Sequence, residues 1–268
     1  MNELPSGHRA RKRFGQNFLI DQGVINHIVR SIGPRADDNL VEIGPGQGAI
    51  TALLLDVCPQ LQVVELDRDL IPVLLAQFAR YSDFKIHQAD ALQFDFAKLA
   101  SPEKPLRIVG NLPYNISTPL IFRLLGYREL IQDMHFMLQK EVVDRMAAAP
   151  GDKNYGRLGI MTQYYCAVEH LFDVGPECFR PIPKVESAIV RLTPFRQLPL
   201  VADDITMLET LVRTVFQQRR KTLRNGLKQL LPAATIESLD LDLTRRPETL
   251  SLPEFVALSN QLSAMGTS

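Results

Sequence analysis

Five short apolar runs, Leu40–Ile43, Leu61–Leu66, Phe84–His87, Leu106–Val109 and Met134–Leu138, alternate with stretches of helical spacing. The helical stretches are Ala49–Val57, Leu70–Arg80 and Pro119–Leu125, the last opened by Thr118-Pro119 as cap and first-turn proline. This alternation is the strongest constraint on the fold. Parallel neighbours need a long crossover, and a helix supplies it while covering one face of the sheet. The pattern predicts an α/β fold, a mostly parallel doubly wound sheet. Two further runs, Ala167–Val174 and Val185–Leu192, lie on either side of a proline-rich stretch, Pro176–Pro183. They are expected to close the sheet as an antiparallel hairpin.

After Pro194 the pattern changes. Residues 204–268 show helical spacing only, as in Leu208, Leu211, Val212, Val215 and Phe216. The chain therefore divides into an α/β domain over residues 1–195 and an all-helical domain over 203–268, with a linker near Phe195–Ala202.

Charge excludes little in total, because 30 basic residues balance 30 acidic ones. Its distribution says more. His8-Arg9-Ala10-Arg11-Lys12-Arg13 is a basic block, and no acid interrupts the basic residues between Arg213 and Lys228. Either cluster can be a solvated face or a surface for a polyanion. The cluster Arg219, Arg220, Lys221, Arg224 and Lys228 is expected on one helix of the second domain. The cysteines, Cys58, Cys166 and Cys178, are odd in number and lack metal-ligand spacing. They point to a reducing compartment and to no metal site. No long apolar run is present, so neither a secretory signal nor a membrane span is expected. The sequence reads as cytoplasmic and monomeric.

The chemistry concentrates where the strands end. Glu42-Ile43-Gly44-Pro45-Gly46-Gln47-Gly48 follows the first strand, and its glycines let backbone approach a ligand closely. Glu65 ends the second strand, 21 residues after Gly44, where a carboxylate can accept from both ribose hydroxyls of a nucleoside. Asp90 follows the third strand and could accept from an adenine amino group. A dinucleotide would use the same ribose acid, but it prefers Gly-x-Gly-x-x-Gly for its pyrophosphate. Here Ala49 stands at that last position. The pattern favours S-adenosylmethionine, which carries no phosphate and is cationic; Glu42 suits such a cofactor.

Asn111-Leu112-Pro113-Tyr114 follows the fourth strand. Ligands of open α/β sheets bind at that edge. An exocyclic amino group on a flat base needs acceptors and a ring to stack on. Asn111, with the Leu112 carbonyl, supplies acceptors and Tyr114 a ring, while Pro113 stiffens the turn. Asn and Pro are also ordinary turn residues. Phe179, in the loop Phe179–Ser187, is either a second stacking wall or a packing residue. A base held between rings must leave its stack, so the substrate would be flexible or flipped.

These residues, with Phe14-Gly15-Gln16-Asn17-Phe18-Leu19 and Phe216-Gln217-Gln218-Arg219-Arg220-Lys221-Thr222-Leu223-Arg224-Asn225, closely resemble the ribosomal RNA adenine N6,N6-dimethyltransferases, above all the bacterial small-subunit (16S) type. The likeness runs from about Gly7 to Phe255. It implies a Rossmann-like S-adenosylmethionine-dependent methyltransferase domain with a small helical C-terminal domain. It further implies dimethylation of two adjacent adenosines in the 3′-terminal hairpin of 16S rRNA, on an immature 30S particle late in assembly. Carried over, Asn17 and Leu19 contact the cofactor, Gly44 faces its methionine part, Glu65 its ribose and Asp90 its adenine. Asn111 then sits between methyl donor and target amine, and Arg219, Arg220, Lys221 and Arg224 become RNA contacts. Three alternatives stay open at this point: a large-subunit rRNA methyltransferase of the antibiotic-resistance type, an assembly factor whose binding matters more than its catalysis, and a dinucleotide-dependent oxidoreductase.

Overall fold

The computed structural model describes residues 17–101 and 103–266. The basic block at 8–13 and Phe14, Gly15 and Gln16 lie outside the described residues. The chain divides into two compact units, one reaching Val143 and including Val168–Pro194, the other made of Asp144–Ala167 and the segment from Phe195 onward.

The elements of the first unit follow the expected alternation. In chain order they are β1 (Phe18–Leu19), α1 (Gln22–Ile32), β2 (Asn39–Ile43), α2 (Ala49–Val57), β3 (Gln62–Glu65), α3 (Ile71–Gln77) and β4 (Lys85–Gln88). β5 (Leu106–Asn111), α4 (Ser117–Leu125) and β6 (Ile131–Gln139) follow. Beyond β6 come α5 (Lys140–Ala147), α6 (Arg157–Tyr165), β7 (Cys166–Val174), β8 (Phe179–Arg180) and β9 (Ser187–Pro194).

The main sheet has the order β4-β3-β2-β5-β6-β9-β7. β2 pairs in parallel with β3 and β5, β3 with β4, and β5 with β6. β9 runs antiparallel to β6 and neighbours β7. The chain moves outward through β3 and β4, then returns to the other side of β2 as β5. The strand order thus reverses between β2 and β5, where a crevice forms in sheets of this kind. The two-residue β8 leaves the sheet and pairs with β1, Phe179 opposite Leu19.

α1 carries a buried stripe, Ile25, Ile28 and Ile32, at helical spacing. Asp21 caps it by accepting from the Val24 N–H at 2.9 Å, and Gly33 ends it in the left-handed region at φ 56°. The stripe packs with Leu54 and Leu55 of α2, Leu40 of β2 and Val63 of β3 into one core.

A buried guanidinium ties the N-terminal end of the sheet together. Arg107, 6% exposed, donates to both carboxylate oxygens of Asp133 on β6 and to Asp38 ahead of β2. It also donates to the Ile32 and Gly33 carbonyls, which the end of α1 would otherwise leave orphaned. The fan of donors suits arginine and no other side chain.

The second unit holds α6 and the C-terminal helices α7 (Ile205–Gln217), α8 (Leu223–Leu227), α9 (Ala233–Glu237) and α10 (Leu252–Gly266). Leu208, Leu211, Val212 and Val215 are buried along α7, as their spacing requires. Residues 144–167 also belong to this unit, beyond the 203–268 read from the sequence. Ile160, Met161 and Tyr164 of α6 are buried, so this helix has an apolar face of its own to cover. The basic cluster does not share one helix. α7 stops at Gln217 and α8 starts at Leu223, so Arg219, Arg220 and Lys221 occupy the intervening turn, while Arg224 lies on α8.

Among the described residues, no helix is long and apolar enough to cross a membrane. No group of three or more His, Cys, Asp or Glu among them could hold a metal ion. The three cysteines are free and buried.

Candidate active site

The C-terminal ends of the parallel strands converge on a cavity of about 530 Å³, within the usual range for small-molecule sites. Six residues expected at the cofactor line it together: Asn17, Leu19, Gly44, Glu65, Asp90 and Asn111. Tyr114 lines it as well.

The turn after β2 approaches closely because Gly44, Gly46 and Gly48 have φ of 66°, 58° and 80°. On the neighbouring strand, a Cβ at Gly110 would stand 2.5 Å from the Ile43 carbonyl oxygen. Only glycine lets β2 and β5 run side by side up to Asn111.

Asn111 sits at the last position of β5. Its Nδ2 donates to the Asn17 carbonyl at 3.3 Å. With the amide nitrogen so committed, Oδ1 is the acceptor it offers. The Leu112 N–H donates to the Met137 carbonyl at 3.1 Å, which holds the turn against β6. The Tyr114 hydroxyl hydrogen-bonds the Ser187 hydroxyl at 2.9 Å. Ser187 opens β9, so the ring is anchored to a sheet strand at its polar tip. Sequence reasoning did not pick out Ser187, which looked like any loop serine.

The acids are held individually. The Glu65 Oε1 accepts from the Asp67 N–H at 2.7 Å. Burial raises its pKa, opposed by hydrogen bonds from the backbone of Asp67, Gly46 and Leu66. Asp90 Oδ1 accepts from the Leu92 N–H at 2.9 Å. Glu42, 2% exposed, accepts from the Thr51 hydroxyl of α2 at 2.6 Å. Burial pushes its carboxyl up to about 7; the Thr51 hydrogen bond opposes this and the charge of Glu65 adds to it.

Four acids line the cavity, Glu42, Glu65, Asp67 and Asp90, and none of its described lining residues is Lys, Arg or His. Among the described lining residues a pyrophosphate would find carboxylates and no cation. A sulfonium nucleoside finds the charge and the acceptors it needs.

Phe179 departs from the expectation of a stacking wall. It is 1% exposed and packs in the core with Leu19, Ile25 and Cys178. It is absent from the cavity lining, although Leu19, its partner across the β1–β8 pairing, is there. Of the aromatic expectations, only Tyr114 reaches the site. Phe18, which sequence reasoning passed over as an aromatic, lines the cavity beside Gly46.

In the second unit, Arg219 donates to Glu248 at 3.3 Å and to the Asp152 carbonyl at 3.2 Å. Arg224 pairs with Glu237 at 3.1 Å. Arg220 and Lys221 are exposed.

A parallel sheet with a reversal beside β2, a glycine turn, an acid closing β3 and an acid-lined cavity fit a Rossmann-like methyltransferase that uses S-adenosylmethionine. The chain belongs to the ribosomal RNA adenine dimethylase family, whose model matches residues 7–262. A relative from Saccharophagus degradans, named ribosomal RNA small subunit methyltransferase A, is 72% identical over 256 residues, covering 96% of each chain. A relative of the same name from Pseudomonas putida is 60% identical over 256 residues, again covering 96% of each. Among solved structures, a dimethyladenosine transferase from Plasmodium falciparum aligns with a TM-score of 0.77 at 26% identity, covering 93% of this chain and 98% of that one. The 23S rRNA methyltransferase ErmE aligns with a TM-score of 0.70 at 25% identity, covering 92% and 100%. The protein is an S-adenosylmethionine-dependent rRNA adenine dimethyltransferase.

Proposed function

We propose that the protein converts two adjacent adenosines in the 3′-terminal hairpin of small-subunit (16S) rRNA to N6,N6-dimethyladenosine, acting as a cytoplasmic monomer on an immature 30S particle late in assembly. The observation that carries the chemistry is Asn111 at the end of β5, lining the same cavity as Gly44, Glu65 and Asp90. The relatives named for the small subunit, at 60% identity and above over nearly the whole chain, favour that subunit over the large one.

S-adenosylmethionine supplies an electrophilic methyl group. The chain's residues bind and orient. Glu65 accepts from the ribose and Asp90 from the adenine of the cofactor, with Asn17, Leu19 and Gly44 closing around it. Asn111 Oδ1 and the Leu112 carbonyl accept the two N–H groups of the target amine. That localises the nitrogen lone pair, which is otherwise delocalised into the ring, and aims it at the methyl group. Such positioning can lower a barrier by about 7–11 kcal/mol at best. Transfer leaves the nitrogen cationic and acidic, so its proton passes to water and no dedicated base is required. After the first transfer one N–H remains for an acceptor, and the amine returns for a second methyl. Tyr114 stacks on the flipped base, its hydroxyl tied to Ser187.

Arg219, Arg220, Lys221 and Arg224 supply phosphate contacts from the second unit, which give salt-sensitive affinity. Replacing Asn111 with alanine tests the reading. Methyl transfer is expected to fall below detection while the variant stays folded and still binds S-adenosylhomocysteine. Turnover within tenfold of wild type would sink the assignment.

A further inference from the structure

We propose that Glu42, held by Thr51, acts as a charge selector in the cavity, favouring the sulfonium cofactor over the neutral thioether left after methyl transfer. The inference rests on S-adenosylmethionine as cofactor and not on the identity of the RNA.

The arrangement is unusual for buried acids. Glu42 and Glu65 lie on neighbouring strands, β2 and β3, both nearly out of solvent at 2% and 6% exposure. Buried carboxyls resist ionisation, and each opposes the charge of the other. Neither has a basic partner on the described cavity wall. The groups that face Glu42 can be named element by element. α2 contributes the Thr51 hydroxyl, itself fully buried, donating at 2.6 Å. β3 contributes Glu65. β5 contributes Val109, paired directly with Glu42 and uncharged. Asp67 and Asp90 add further negative charge along the same wall.

Glu42 is thus poised near neutrality, its carboxyl raised to about 7. A cation entering the cavity favours the ionised carboxylate, so a proton should leave as the cofactor binds. When the methyl group departs, the electron pair of the broken C–S bond stays on sulfur and the positive charge disappears. The carboxylate then loses its counter-charge in a poorly solvated site and takes a proton back. The spent cofactor is held less tightly than the fresh one. An enzyme that must exchange cofactor between successive transfers gains from that asymmetry. Thr51 is a positioning residue here: its hydroxyl hydrogen-bonds the carboxylate and keeps ionisation within reach.

Isothermal titration of the full-length protein, without RNA, tests the proposal. S-adenosylmethionine and S-adenosylhomocysteine are titrated across about pH 5.5–8.5 in two buffers of different ionisation heat, so that protons released are counted. The two ligands share their amino-acid and nucleoside groups, so the difference between them isolates the sulfonium. Wild type is expected to release a proton with the sulfonium ligand and not with the thioether. Below neutrality its preference for the sulfonium should shrink, by up to about tenfold per pH unit. Glu42→Gln should abolish the differential release and narrow the preference at high pH. Thr51→Val should move the release to higher pH. Equal proton release for both ligands in wild type, or an unchanged preference in Glu42→Gln, would overturn the proposal. Should Glu42→Gln fail to fold, the wild-type counts and Thr51→Val decide it. Binding of both ligands throughout shows that the site is intact, and the RNA substrate stays outside the test.

Discussion

Gly48→Ala puts the glycine turn to a quantitative test. Gly48 caps α2 with φ 80°, in the left-handed region. A side chain there costs about 1–2 kcal/mol from backbone conformation alone. The new Cβ would also stand 2.7 Å from both Cε2 and Cζ of Phe78. That ring is 5% exposed and meets Phe84 edge-on, with centroids 5.6 Å apart. It has little room to retreat, so overpacking adds about 1–3 kcal/mol. The sum is about 2–5 kcal/mol, or a fall in Tm of roughly 4–20 °C for a domain of this size. Gly33→Ala is the matched control in the same unit. Gly33 has φ 56°, and its Cβ would meet nothing nearer than the Arg30 carbonyl oxygen at 3.9 Å. It should lose only the backbone cost, about 1–2 kcal/mol. Thermal unfolding with and without S-adenosylhomocysteine reads both terms. Gly48→Ala should lose more stability and should also lose ligand-induced stabilisation, because α2 shifts at the cavity. Equal losses in the two variants, with ligand stabilisation intact in both, would refute the steric argument.

Arg107→Met should cost up to about 3–5 kcal/mol, since it strands the partly buried Asp38 and Asp133 without their cation. Adding Asp38→Asn and Asp133→Asn should restore most of that loss; no recovery would show that packing, not charge, is at stake. Glu42 makes a pH prediction. Its carboxyl binds protons more tightly folded than unfolded, so stability falls as pH rises from 4.5 to about 7. At about 1.4 kcal/mol per pH unit the loss is roughly 3 kcal/mol. Glu42→Gln should therefore be more stable than wild type at pH 8 and not at pH 4, as read by chemical denaturation. Arg220→Ala with Lys221→Ala should weaken small-subunit binding and reduce its logarithmic salt slope by about 1.4–1.8. Cofactor affinity should not move, and an unchanged slope would remove these two residues from the RNA surface.

Much of this was legible in the chain. The strand–helix alternation fixed the parallel sheet, because apolar runs of four to six residues between helical stretches admit few other solutions. That Glu65 and Asp90 share a cavity was legible because one ends β3 and the other follows β4, and strand ends of a parallel sheet share one edge. Less visible were features set by pairing between distant segments. Phe179 reads as a loop aromatic, and only its burial in the core, beside the strand β1 it pairs with, shows otherwise. The basic cluster reads as one helix because Arg and Lys suit helices, yet the chain turns between Gln217 and Leu223. α6, with Ile160, Met161 and Tyr164 buried, belongs to the second unit, and no local signal announces which core an apolar face will enter. The partners of Thr51 and Ser187 were not legible, since a hydroxyl acts only through the partner the fold brings to it.

Labelled S-adenosylmethionine, supplied with small subunits whose 3′-terminal hairpin lacks methylation and followed by mapping of label by nucleoside and position, decides between the subunits and between catalysis and binding. N6,N6-dimethyladenosine is expected at the two adjacent hairpin adenosines, and none when Asn111→Ala replaces the wild type. Label confined to large-subunit rRNA, or tight subunit binding with no label in any RNA, would contradict it.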